Sequence, residues 1–113
     1  MFAVNRLSAA SFIAFSVLLC MRGYAETGLT SKEFLTWSEN NKSSYVQISM
    51  MSMNMIALEN DQKQSDCIGA WFTSDRRAGE QYIYEVMQKA PDFHPVGVIM
   101  AVLEKKCGPF KYR

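Results

Sequence analysis

Two cysteines (Cys67 and Cys107), a single histidine (His94) and the methionine run Met50-Met51-Ser52-Met53-Asn54-Met55 carry most of the chemistry that this 113-residue chain can offer. A thiol pair can bridge, react or bind metal. Neither cysteine has a second one two or three residues away, so the usual metal-ligand pair is missing. In an oxidising compartment an even pair reads as a disulfide. Closing a loop of about 40 residues is worth roughly 4 kcal/mol in the chain-entropy reckoning. A histidine needs partners before it catalyses or binds zinc. The chain has no Gly-x-Ser-x-Gly elbow and no His-Glu-x-x-His pattern. His94 precedes Pro95 and reads as a helix-start residue, with its protonation leaving room for weak acid sensing.

Thioethers bind Cu(I), and they also fill helix faces and adaptable binding surfaces. On a helix, Met51 and Met55 share one face and Met50 and Met53 another. The spacing assigns Met51 and Met55 to the core, and Met50 and Met53 to an exposed partner surface. Trp71 and Phe72 read as core packed on the disulfide, or else as anchors for a partner. Arg76 and Arg77 read as a solvated helix start, or as two guanidinium groups that grip an acidic partner. Asp61 and Asp66 fall in a polar stretch with no arrangement for acid–base work. The sequence therefore offers no catalytic residue, metal site or cofactor. The candidate partner-binding residues are Met50, Met53, Trp71, Phe72, Arg76 and Arg77.

The compartment is read from residues 1–25. Arg6, the apolar run from Leu7 to Met21 and the small residue Ala25 have the parts of a secretory signal peptide. The apolar run is short for a spanning helix. Cys20 leaves with the leader, and Leu19 before it is larger than the residue that precedes a lipoprotein cysteine. Residues 26–113 form the expected single helical domain. Loss of Arg6 and Arg22 takes the formal charge from +1 to −1. Neither a nucleic-acid partner, which wants clustered positive charge, nor a polybasic membrane patch fits this balance. A periplasmic or secreted location is expected.

The elements that must position these groups are helical, in an all-α bundle of four to five short helices. Leu29-Thr30-Ser31-Lys32-Glu33-Phe34 contains a capping box and a hydrophobic staple, predicting a first helix from Ser31 to about Glu39. A second helix is predicted over Ser43–Glu59, burying Tyr45, Ile48, Met51, Met55 and Leu58 as one stripe. Residues 60–65 read as a polar loop and residues 66–72 as a short helical segment tied down by the disulfide. Ser74 or Asp75 caps a helix from Arg76 to Lys89, which Pro91 stops. Pro95 opens a final helix, with Lys105 and Lys106 at its C-terminal end and Gly108-Pro109 as the stop.

The second half, with Cys67, Met87-Gln88-Lys89-Ala90-Pro91, His94 and Val98-Ile99-Met100-Ala101-Val102-Leu103 leading to Cys107, resembles the resistance-associated immunity proteins of type VI secretion. The segment Ser31-Lys32-Glu33-Phe34-Leu35 resembles the opening of the Hde-type acid-stress chaperones, without their cysteine there. The first resemblance implies an all-helical domain with one bridge, with homodimerisation as an option, that binds and blocks a toxic cell-wall amidase. The expected function is thus a non-enzymatic protein-binding module. Its partner is a toxin, or an unfolded client if the protein is an acid-stress chaperone. A Met-rich copper-binding protein is the third alternative.

Overall fold

Every helix in the described chain begins at a side chain that accepts a hydrogen bond from its first turn. The computed structural model describes residues 28–111, so the export-signal reading of residues 1–25 lies outside it. Five helices follow one another: α1 (Ser31–Phe34), α2 (Glu39–Asn60), α3 (Gln62–Ser74), α4 (Arg76–Lys89) and α5 (Pro95–Cys107). Thr30 Oγ1 accepts from the Glu33 amide at 3.2 Å and Ser38 Oγ from the Asn41 amide at 3.2 Å. Asp61 accepts from the Lys63 amide at 3.1 Å and also from that of Gln64. Asp75 accepts from the Ala78 amide at 3.1 Å, and His94 Nδ1 from the Val96 amide at 3.2 Å. Each cap satisfies a backbone donor that the helix leaves orphaned.

These caps explain where the structure departs from the expected boundaries. The first helix stops at Phe34 rather than near Glu39, because Ser38 caps a new helix that takes Glu39, Asn40 and Asn41 as its first turn. Residues 60–65 are not a loop. Asp61 alone separates α2 from α3, in an extended conformation. The polar residues after it are helical, and two of them reach distant partners. Gln64 Nε2 donates to the Gly108 carbonyl at 2.8 Å, and Ser65 Oγ donates to Asn54 Oδ1 at 2.8 Å. The short segment expected over residues 66–72 is the middle of α3. Helices α4 and α5 run between their predicted ends.

The face that α2 buries is the second correction. Val46, Met50, Met53 and Ala57 enter the core, whereas Ile48, Met51, Met55 and Leu58 face solvent. Both sets recur at steps of three and four, so spacing alone does not choose between them. The one-residue hinge decides it. It folds α3 back against α2 on the side where Ala57, the only alanine of α2, is buried. Met50 and Met53 follow Ala57 inward, and neither is an exposed partner residue.

The core is closed by Phe34, Val46, Ile68, Ile83, Met87, Ile99 and Leu103, all at most 1% exposed. Phe34 packs 5.1 Å from the rings of both Trp37 and Tyr45 and 6.3 Å from that of Tyr84. Helix α1 is pinned to the α4–α5 turn, where the Ser31 amide and hydroxyl both donate to the Phe93 carbonyl, at 2.8 and 2.7 Å. The expected disulfide joins Cys67 of α3 to Cys107 of α5, with Cα atoms 5.7 Å apart. Beyond it the chain turns at Gly108, whose φ of +88° is the region that glycine tolerates. Phe110 is then buried and Lys111 pairs with Asp61 at 3.1 Å. No helix among the described residues is long and apolar enough to cross a membrane.

Candidate protein-binding groove

The hinge at Asp61 sets α2 beside α3, and a groove of about 180 Å³ opens between them away from the hinge. Its floor is Met50, Ile68 and Phe72, the inward or half-inward residues of the two helices. Exposed Met51 forms one rim and Thr73 the other, with Arg76 at the end where α4 begins. Gln47 and Asn54 add amides along the α2 side. Both are held from behind. Gln47 Nε2 donates to Ser43 Oγ at 2.9 Å, which itself donates to Glu80 Oε1 at 2.8 Å. Asn54 Oδ1 accepts from Ser65. Arg76 is exposed and forms no salt bridge among the described residues.

Gly69 lies within this groove. A Cβ built on it would meet nothing within 4 Å. Gly79 differs, because a Cβ there would lie 3.4 Å from the Phe72 ring. Gly79 lets α4 approach α3, whereas Gly69 leaves open space on the groove side of α3.

Three of the six expected partner-binding residues, Met50, Phe72 and Arg76, come together here. The other three do not. Met53 is buried in the core. Trp71 lies on another flank, edge-on to Tyr82 at 6.3 Å and beside Lys106, whose Nζ sits 4.6 Å above the Tyr82 ring. Arg77 is exposed at the start of α4 but does not line the groove. The four thioethers of residues 50–55 divide between two faces of α2, inward for Met50 and Met53 and outward for Met51 and Met55. They do not form one cluster. Among the described residues, no three His, Cys, Asp or Glu side chains gather as a metal site either.

The perturbed ionisable groups lie outside the groove. The Lys111 side chain, by hydrogen bonding to Asp61, holds that carboxyl below its ordinary value, with help from the Gln64 and Lys63 amides. Burial pushes the Tyr45 phenol up. Burial also pushes the Tyr84 phenol up to about 12, with the carboxylates of Glu80 and Glu39 adding to the rise. His94 is engaged as a helix cap rather than set in a cleft.

Sequence reasoning missed the outward face of α2. Ile48, Met51, Met55 and Leu58 are 65, 68, 69 and 52% exposed. A signal was available, since no side chain from Ser43 to Leu58 carries a charge. An uncharged helix with two apolar stripes has two faces to cover. In comparisons with known proteins, the chain matches no family model, no curated protein and no solved structure.

Proposed function

We propose that this protein is an exported, non-enzymatic protein-binding module that acts in the manner of an immunity protein, blocking a cell-wall amidase toxin by contact. The observation that carries this reading is the groove between α2 and α3, apolar at its floor and ended by the guanidinium of Arg76, which forms no salt bridge among the described residues. At about 180 Å³ it is smaller than the roughly 300–1,000 Å³ of small-molecule pockets. It suits one or two anchoring side chains from a protein surface. Methionine adapts its shape to such an anchor. Arginine receives a neighbouring carboxylate through two parallel hydrogen bonds. The leader-like residues 1–25 and the resemblance of the second half to the periplasmic immunity group support the same reading.

The test uses Gly69→Leu, which fills the groove from a position where an added Cβ meets nothing within 4 Å, and Arg76→Glu, which reverses the charge at its end. The disulfide-intact protein and both variants are immobilised and exposed to the exported fraction of the source cells. A retained peptidoglycan amidase is then assayed for inhibition. Wild-type protein is expected to retain and inhibit the amidase, and each variant to bind at least about ten-fold more weakly, a loss of about 1.4 kcal/mol. Retention of no amidase, or equal retention by Gly69→Leu, rejects the proposal.

A further inference from the structure

Gln47 and Asn54, the two amides on the α2 side of the groove, each have one end committed. Ser43 Oγ gives its only hydrogen to the Glu80 carboxylate. It can then only accept from Gln47, which spends Nε2 on it and keeps Oε1 as an acceptor. Ser65 Oγ donates to Asn54 Oδ1, which leaves Nδ2 as a donor. Asn54 is tied in this way to α3 near the hinge, and Gln47, through Ser43, to α4. The acceptor therefore marks the Arg76 end of the groove and the donor marks the hinge end.

The two amides lie seven residues apart on α2, about 10 Å at a rise of about 1.5 Å per residue. An extended chain points the N–H and C=O of one residue to the same edge, and those of the next to the other. At about 3.3 Å per residue, the N–H of one residue and the C=O two residues on share an edge roughly 9 to 10 Å apart. We infer that the groove holds one extended segment of the partner, with an acidic residue two positions before a single large apolar anchor.

The segment runs from the Arg76 end toward the hinge. The N–H of one residue donates to Gln47 Oε1, and the C=O two residues on accepts from Asn54 Nδ2. The residue between them directs its side chain to the floor of Met50, Ile68 and Phe72, where about 180 Å³ takes one large side chain. Side chains alternate along an extended chain. The residue two before the anchor thus faces the same way, at the end where Arg76 stands. Among the described residues that line the groove, Arg76 alone is charged, so it selects an acid there. A helix would leave both amides idle, because its backbone groups are bonded to one another. This mode of binding rests on the groove being the partner's site, as proposed above. It adds the direction and the sequence pattern of what enters.

The probe is the peptide acetyl-Gly-Glu-Ser-Leu-Ser-Gly-amide, titrated into the isotope-labelled, disulfide-intact protein and followed by amide NMR shifts. Saturable shifts confined to the groove are expected, with Kd on the order of 1 mM or below. Glutamine in place of the glutamate, the reversed sequence, and N-methylation of the serine before the leucine are each expected to weaken binding at least about five-fold. The N-methyl loss is expected to vanish in Gln47→Ala, which lacks the acceptor. Lysine in place of the glutamate is expected to restore binding to Arg76→Glu. No shift at about 5 mM peptide, a reversed peptide that binds as well, or an N-methyl loss unchanged in Gln47→Ala each overturns the extended mode. Tighter binding of a helical peptide with the same two side chains one turn apart also overturns it. The capture experiment separates the two readings. Retained amidase with a silent peptide rejects only the extended segment, and bound peptide with no retained amidase rejects only the toxin partner.

Discussion

Tyr84 buries its phenol, and its hydroxyl has no hydrogen-bond partner among the described residues. Its ring packs near Phe34, and Lys42 Nζ lies 4.9 Å above the ring. A buried polar atom left unpaired forgoes its hydration and gains nothing in return. The same burial raises the phenol to about 12, helped by Glu80 and Glu39, against about 10 in an unfolded chain. Between those two values the folded chain keeps a proton that the unfolded chain releases, so stability falls with rising pH. The contribution is whole below pH 10 and lost as pH climbs through 12. Tyr84→Phe should keep the neutral-pH stability, or gain about 1 kcal/mol from removing an unsatisfied hydroxyl. It should also flatten the alkaline decline. Urea midpoints from pH 7 to 12 test this, and a variant that declines in parallel with the parent contradicts it.

Helix α3 carries a glycine in its middle, Gly69. Glycine within a helix costs about 0.5–1 kcal/mol relative to alanine. At Gly79 the close contact with Phe72 gives a reason for it, whereas nothing touches a Cβ at Gly69. Gly69→Ala should therefore stabilise the protein by about 0.5–1 kcal/mol, with a smaller gain at Gly79, as measured by urea unfolding. If Gly69→Ala is destabilising, position 69 contains contacts that its open surroundings do not explain. Such local rules also govern which elements were legible. Helices α4 and α5 could be read because their limits are local: Asp75, Pro91, Pro95 and Gly108 act on their own neighbours. The end of α1 was misread because two caps, Thr30 and Ser38, compete within nine residues of chain. The start of α3 was hidden because Gln64 and Ser65 look like loop residues until Gly108 and Asn54 arrive to bind them. On α2 the two apolar stripes are equivalent by spacing, and only the tertiary packing of the bundle, which buries Val46, Met50, Met53 and Ala57, ranks them. Met50, Phe72 and Arg76 were therefore recognisable as residues, while the groove that unites them was not.

At the scale of the whole molecule, the last residues close the bundle on itself. The segment after α5 returns to the α2–α3 hinge through two contacts, the Gly108 carbonyl on Gln64 and Lys111 on Asp61, with Phe110 buried in the core between them in sequence. The disulfide fixes α5 to α3 at the root of that tail, across a sequence separation of 40. The bond restricts the unfolded chain and holds the tail where its weaker contacts can form. Asp61 then has two roles, capping α3 and pairing with the tail. Its lowered carboxyl value means that it stabilises the fold above the ordinary carboxylate range, and that this contribution is lost as pH falls through the folded value. Replacing both cysteines, as Cys67→Ser with Cys107→Ser, should cost roughly 4 kcal/mol, a large part of the stability of a small domain. For a domain of this size that is a fall of about 20 °C in Tm. Thermal unfolding of the parent, the double variant and the reduced parent measures it. The reduced parent should match the double variant, and lowering the pH below the ordinary carboxylate range should weaken both the double variant and the reduced form further as the contribution of Asp61 is lost. A fall of only a few degrees would mean that the hinge and tail contacts hold the two helices together without the bond, and that its role lies outside folding stability.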